Sequence, residues 1–359
     1  MILDRIKNLQ RYMDINDIDW TFLVPSPNFF YLTGVSIDTH ERLTALLIPK
    51  DDIPTIIVPS FERERLEQDT EIANIVSWQD GENPYDYVKK ITGSEIKTIA
   101  IEDNVPFGVL YNLDTKIKIS QKVPITPYIS ELRLKKSTDE INFMKQAGRI
   151  IEKALEDGYQ YVKENMSELD LAKYLEDRIV EYGGTPTFTI IQFGPNSAIP
   201  HAESSRKKLK KGEIILIDFG CSYKGYNTDQ TRMAVLGKAT EKHKEIYSIV
   251  QEAQEAAIKY DKEGVSAESV DKVARDVIES KGYGKYFIHR LGHGIGIEVH
   301  EPPYIVQGNK QILEEGMTHS IEPGIYILNE FGVRIEDLVE VKKNGVEIIT
   351  FSKKELREI

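Results

Sequence analysis

The run Ile214-Ile215-Leu216-Ile217-Asp218-Phe219-Gly220 and its continuation, Gly225-Tyr226-Asn227-Thr228-Asp229-Gln230-Thr231-Arg232, constrain this chain more than any other stretch. An apolar run ending in Asp, a Lys224-Gly225 turn and a second strand pattern read as a β-hairpin. With the turn at 224 and 225, residue 218 lies opposite 231, and 229 is its diagonal neighbour on the same face. Two carboxylates held that close repel each other and resist ionisation unless a cation lies between them.

Composition narrows the setting. The chain has 359 residues, enough for one large domain or two ordinary ones with a real core. One Cys excludes an intrachain disulfide and a thiolate metal cage, and it suits a cytoplasmic location. The opening MILDRIKNLQ carries Asp4, Arg5 and Lys7, which breaks the apolar core of a signal peptide. No stretch approaches the roughly 18 apolar residues of a membrane helix, so no membrane partner is expected. With 46 basic and 58 acidic side chains the net charge is −12, which argues against nucleic acid as a partner. The basic run Arg206-Lys207-Lys208-Leu209-Lys210-Lys211 reads as a solvated turn before a strand.

The first part of the chain alternates short helical and strand patterns. A helix is expected over 6–13, buried strands over 20–24, 43–48, 55–58 and 98–101, and charged helices over 61–68 and 84–91. This describes a small α/β domain over 1–128, with Pro124, Pro127 and Tyr128-Ile129-Ser130 as a connector. From 129 to 359 the texture changes. Ser137-Thr138-Asp139-Glu140 is a capping box opening a helix, and three more amphipathic helices follow among hairpin signals. Long helices set apart from antiparallel strands give an α+β fold class.

Two further segments carry chemistry. His289-Arg290-Leu291-Gly292-His293-Gly294-Ile295-Gly296 runs on to Val299-His300-Glu301-Pro302-Pro303. Glycine allows close approach of backbone and imidazole to a ligand, and neutral imidazole is a common metal ligand. In Ile321-Glu322-Pro323-Gly324, an apolar neighbour and a Pro-Gly turn surround a carboxylate. Arg334 and Glu336 are two apart in one strand pattern and are expected to face the same way. Asp218, Asp229, His293, Glu322 and Glu336 together form a donor set suited to two hard or borderline divalent ions, Mn²⁺, Co²⁺ or Zn²⁺. Such a pair of ions activates water and stabilises an oxyanion.

At these residues the sequence resembles the pita-bread metallopeptidases, in the prolidase and aminopeptidase P branch. The likeness spans essentially the whole chain, including Ser26-Pro27-Asn28-Phe29-Phe30-Tyr31-Leu32-Thr33-Gly34 and Leu132-Arg133-Leu134-Lys135-Lys136-Ser137. It implies a creatinase-type amino-terminal domain, serving oligomerisation and substrate gating, ahead of a pita-bread catalytic domain. It implies that Asp218 ligates the first of two metal ions, that Asp229 and Glu336 bridge both, and that His293 and Glu322 complete the second. Glu322 would also shuttle the proton, His201 would lie on the substrate side, and His300 would contact the scissile carbonyl. His289, Tyr326 and Arg334 would support them. His40, within Asp38-Thr39-His40-Glu41-Arg42, would reach a neighbouring subunit's site in a homodimer.

The implied reaction is hydrolysis of Xaa-Pro bonds in short proline-containing peptides. Dipeptidase action is favoured, aminopeptidase P action on longer peptides is the alternative, and a non-catalytic peptide-binding module is the remote one. Three positions depart from the family. Tyr304 stands where prolidases usually carry an Arg for the substrate carboxylate, which a phenol cannot replace as an ion-pair partner. His319 replaces a small or apolar residue, and Cys221 is expected to pack rather than react.

Overall fold

The computed structural model describes residues 2–37, 41–70, 74–200 and 202–359. His40 and His201 lie outside the described residues. The chain divides into two compact units, Met1–Arg133 and Leu134–Ile359.

The first unit is a mixed six-stranded sheet: β1 (Trp20–Leu23), β2 (Ala45–Pro49), β3 (Thr55–Pro59), β4 (Asn74–Trp78), β5 (Glu95–Ile101) and β6 (Lys118–Pro124), in the order β4-β3-β2-β1-β5-β6. The four expected strands are present; β4 and β6 were not legible. Both are edge strands, and β6 is mostly exposed, so neither carries the apolar run that marks a central strand. The expected connector is a helix, Thr126–Leu134, separated from Pro124 only by Ile125. Proline at the second position of a helix costs little, because its missing N–H is unpaired there anyway. Ser26 caps the short helix Pro27–Thr33 by accepting from the Phe29 N–H, and Gly34 closes it in the left-handed conformation.

In the second unit, the helices Thr138–Tyr161 and Glu168–Glu181 each open with a capping box, at Ser137–Glu140 and Ser167–Asp170. The helices Glu241–Tyr260 and Ala267–Ser280 follow later. One sheet contains β7 (Thr185–Phe193), β8 (Ile214–Tyr223), β9 (Tyr226–Val235) and, at the end of the chain, Arg357–Glu358 beside β9. A second is built from β10 (Gly292–Gly294), β11 (Glu301–Ile305) and β12 (Thr318–Ile321). The hairpin β13 (Gly324–Ile327) and β14 (Phe331–Arg334) then intervenes, before β15 (Asp337–Lys342) and β16 (Gly345–Ile348) complete that sheet in the order β11-β10-β12-β15-β16.

The apolar run of β8 is buried on both faces. Ile215, Ile217 and Phe219 pack with Ile151, Leu155, Leu171 and Leu175 of the first two helices. Ile214 and Leu216 face the other cluster, with Ile246, Val250, Val270 and Ile321. Because strand side chains alternate, Asp218 continues the Ile214–Leu216 face. Ladder pairing sets Asp218 against Thr231 and Gly220 against Asp229, as the hairpin register predicts. The two aspartates therefore leave the sheet on one side.

Candidate active site

Thr231 organises the hairpin carboxylates. Its Oγ1 lies 3.1 Å from Asp218 Oδ1 and 2.8 Å from Glu336 Oε2, and Arg334 Nε donates to it at 3.0 Å. Arg334 also donates to Asp218 Oδ2 at 2.5 Å and to the Tyr326 hydroxyl at 2.9 Å. Arg334 and Glu336 are not on one strand, contrary to the alternation expected from sequence. Arg334 ends β14, residues 335 and 336 form a break, and β15 starts at Asp337 in the other sheet. Glu336 is placed by that crossing: its N–H donates to the Thr231 carbonyl, and Arg232 Nη1 donates to the Glu336 carbonyl at 2.5 Å. Arg232, fully buried, also pairs with Asp337 at 2.6 Å, which holds the break to β9.

His293 comes from β10, where glycine is obligatory on both sides. A Cβ on Gly292 would lie 2.0 Å from the Ser320 carbonyl oxygen, and one on Gly294 would lie 2.2 Å from that of Pro302. The His293 Nδ1–H donates to the Gly294 carbonyl at 3.1 Å, which leaves the Nε2 lone pair directed at the carboxylates. That nitrogen lies 3.3 Å from Glu322 Oε1 and 3.8 Å from Asp229 Oδ2. Ser320 Oγ donates to Glu322 Oε1 at 3.0 Å and accepts from the His293 N–H at the same distance, so one hydroxyl sets both groups.

The supporting residues form a chain. The Tyr326 hydroxyl takes a hydrogen bond from Arg334 and donates to His289 Nε2 at 2.8 Å, while His289 Nδ1–H donates to the Arg290 carbonyl at 2.7 Å. The exposed His300 sets its ring edge-on to that of His293, with centroids 4.1 Å apart. Tyr304 pairs with His293 across the β10–β11 ladder. His319, in contrast, is fully buried 2.9 Å from Asp261 and turns away into the core, and Cys221 is buried with its thiol pushed up to about 12 by burial. Thr231, Ser320 and Arg290 were not singled out from the sequence. Thr231 was legible in principle, as the residue directly opposite Asp218.

Electrostatics bear directly on metal. Burial, then repulsion from Glu336, Asp218 and Glu322, raises the Asp229 carboxyl well above its ordinary range. Burial and the charges of Glu322 and Asp218 do the same to Glu336, and burial lifts Glu322 to about 7. Burial also depresses His293 to about 3, so the imidazole is neutral and a competent ligand. Asp229 Oδ1 and Glu336 Oε1 are buried without a hydrogen-bond partner among the described residues. Ligand atoms of Asp229, His293 and Glu336 all lie within 4.8 Å of one another. Oxygens that are both orphaned and mutually repelling fit a divalent cation. The groups open onto a cavity of about 580 Å³ whose other wall is Phe188, Ile190, Pro200 and Val299.

Buried carboxylates converging with a neutral imidazole on a cavity half apolar define a metal-dependent hydrolytic enzyme. The chain belongs to metallopeptidase family M24, whose model matches residues 142–343, and residues 5–135 match the creatinase/prolidase N-terminal domain. It is 38% identical to a Xaa-Pro dipeptidase of Lactobacillus helveticus, over 99% of this chain and 98% of the other. The prolidase structure from Thermococcus sibiricus superposes with a TM-score of 0.92 at 39% identity, covering 100% of this chain and 99% of that one. The X-Pro aminopeptidase structure from Thermotoga maritima gives 0.87 at 33%, covering 96% and 98%. The α+β reading and the metallopeptidase assignment stand. Among the described residues, no helix is long and apolar enough to cross a membrane.

Proposed function

We propose that the chain is a prolidase-type dipeptidase that hydrolyses Xaa-Pro bonds with two divalent ions, Mn²⁺ or Co²⁺ before Zn²⁺. The observation that carries this is the orphaned, mutually repelling oxygen set of Asp229 and Glu336 beside His293, facing an apolar wall. Asp218, Asp229, His293, Glu322 and Glu336 would hold the ions, which lower the pKa of an attacking water and stabilise the developing oxyanion.

The chain's own groups do the rest. Phe188, Ile190, Pro200 and Val299 offer the pyrrolidine ring an apolar surface. Glu322, held at Oε1 by Ser320, receives the proton of the attacking water and passes it to the prolyl nitrogen as the C–N bond breaks. The prolyl nitrogen of this tertiary amide would otherwise have to leave as an amide anion, so this delivery lets it depart as an amine. His300 donates to the carbonyl oxygen as charge develops there, and the family resemblance assigns His201 to the substrate side. His289, Tyr326 and Arg334 hold the carboxylates in place through their hydrogen-bonded chain. A cytoplasmic homodimer, with the amino-terminal domain gating the site and His40 reaching the neighbouring subunit, belongs to the same proposal.

Aminopeptidase P action on longer peptides is the second reading. Tyr304, a neutral phenol beside the site, favours it. The test is to strip the protein with chelator, restore Mn²⁺ or Co²⁺, and assay Met-Pro beside a Xaa-Pro-Xaa tripeptide. Cleavage of Met-Pro is expected. Cleavage of the tripeptide alone reassigns the chain to the second reading, and turnover of neither by folded, metal-loaded protein removes both.

A further inference from the structure

Among the described residues, two arginines line the catalytic cavity, Arg290 and Arg334. Arg334 is already engaged, because each of its three nitrogens donates a hydrogen bond, to Thr231, Tyr326 and Asp218. Arg290 is half-buried, and among the described residues no carboxylate pairs with its guanidinium. The group lies instead over the ring of Tyr304, 4.6 Å from the centroid. Tyr304 is directly opposite His293 in the β10–β11 ladder, so both side chains leave the same face of the sheet. The stacked cation is therefore on the side of the sheet that holds the catalytic groups, and its charge acts on Glu322 and His293.

Stacking occupies the flat face of a guanidinium and leaves its N–H edge free. That edge matches a carboxylate, to which it can donate two parallel hydrogen bonds. A Xaa-Pro dipeptide brings a carboxylate into the cavity, on the ring carbon beside the prolyl nitrogen. Burying that charge without a cation is costly, and the charge of the metal ions would already be matched by the four carboxylates that hold them. We infer that Arg290, plated against Tyr304, binds the C-terminal carboxylate of the dipeptide and makes this site selective for peptides that end in proline. The inference rests on the peptidase reading above and decides between its two forms. Tyr304 is then a platform for the anchor, not a replacement for it.

The experiment compares Met-Pro with its C-terminal amide, Met-Pro-NH₂, on metal-loaded wild type, Arg290→Met, Arg290→Lys, Tyr304→Phe and Tyr304→Ala. Circular dichroism and metal content confirm that each variant is folded and loaded. Wild type is expected to prefer the acid. Arg290→Met should reduce that preference in kcat/KM about tenfold to a hundredfold, the worth of a charge-assisted pair, mainly through KM. Arg290→Lys should restore part of it. Tyr304→Phe keeps the ring and should keep the preference within about twofold, whereas Tyr304→Ala should lose about twofold to fivefold. A preference that survives Arg290→Met overturns the inference while leaving the peptidase reading intact. The same holds if the variant changes only the ranking of Asp-Pro against Met-Pro, because Arg290 would then read the residue before proline. Wild-type inactivity on Met-Pro, its amide and the tripeptide would overturn both readings.

Discussion

At the scale of single residues, the centre is made of groups that are individually unfavourable where they stand. Asp229 and Glu336 are buried, near one another and near Asp218 and Glu322, so in metal-free protein their carboxyls titrate far above the ordinary range and Glu322 titrates near 7. In the unfolded chain the same groups ionise near pH 4. Above that pH the folded metal-free protein holds more protons than the unfolded chain. Its stability is therefore full below about pH 4 and falls as pH rises through the folded pKa values, by up to about 1.4 kcal/mol per unit for each group. Denaturant unfolding of metal-free protein between pH 4 and 8 should show this decline. Glu336→Gln, which cannot ionise and offers a poor amide ligand, should flatten it and lose metal in equilibrium dialysis. A flat wild-type profile would contradict the raised carboxyl pKa values, and retained metal in the variant would show that Glu336 is not a ligand of the ion.

At the scale of elements, what could be read from the sequence depended on how local the determinant was. Asp218 and Asp229 were legible because one turn, Lys224-Gly225, sets the register of both strands. The His293 segment was legible because its glycines have no local reason; the contacts of Gly292 with Ser320 and of Gly294 with Pro302 supply the tertiary one. The spacing predicts Glu336 on one strand with Arg334, whereas the structure sets it in the break between two strands. The break after Arg334 exists because β14 and β15 belong to different sheets, and the hydrogen bonds of Arg232 that stabilise it join residues about a hundred positions apart. The stacking of Arg290 on Tyr304 was illegible for the same reason. An element-level consequence is testable. Gly294→Ala forces β10 away from β11 and should cost about 1–3 kcal/mol by overpacking. It should also displace His293 and weaken metal binding. A melting curve and metal titration indistinguishable from wild type would contradict the strand-approach argument.

At the scale of the molecule, the acidic surplus and the near absence of cysteine acquire a meaning they lacked as counts. The net charge is −12, and four carboxylates are concentrated in one cavity, where Arg334 pairs with Asp218 and Arg290 stacks on Tyr304. A folded protein tolerates that arrangement when cations complete it. Three sheets of the second unit meet there, so none alone contains the site: Asp218 and Asp229 come from the β8–β9 sheet, His293 from the five-stranded sheet, and Glu336 from the crossing between the β13–β14 hairpin and β15. The amino-terminal unit has its own sheet and core and supplies none of these four side chains.

The most direct test is a titration of Mn²⁺ into chelator-stripped protein, with bound metal and Met-Pro hydrolysis measured on the same samples. The account expects negligible turnover without metal and activity that rises with occupancy to a plateau at two ions per chain. Full activity in metal-free protein, or a metal-saturated folded protein that leaves Met-Pro intact, would contradict it.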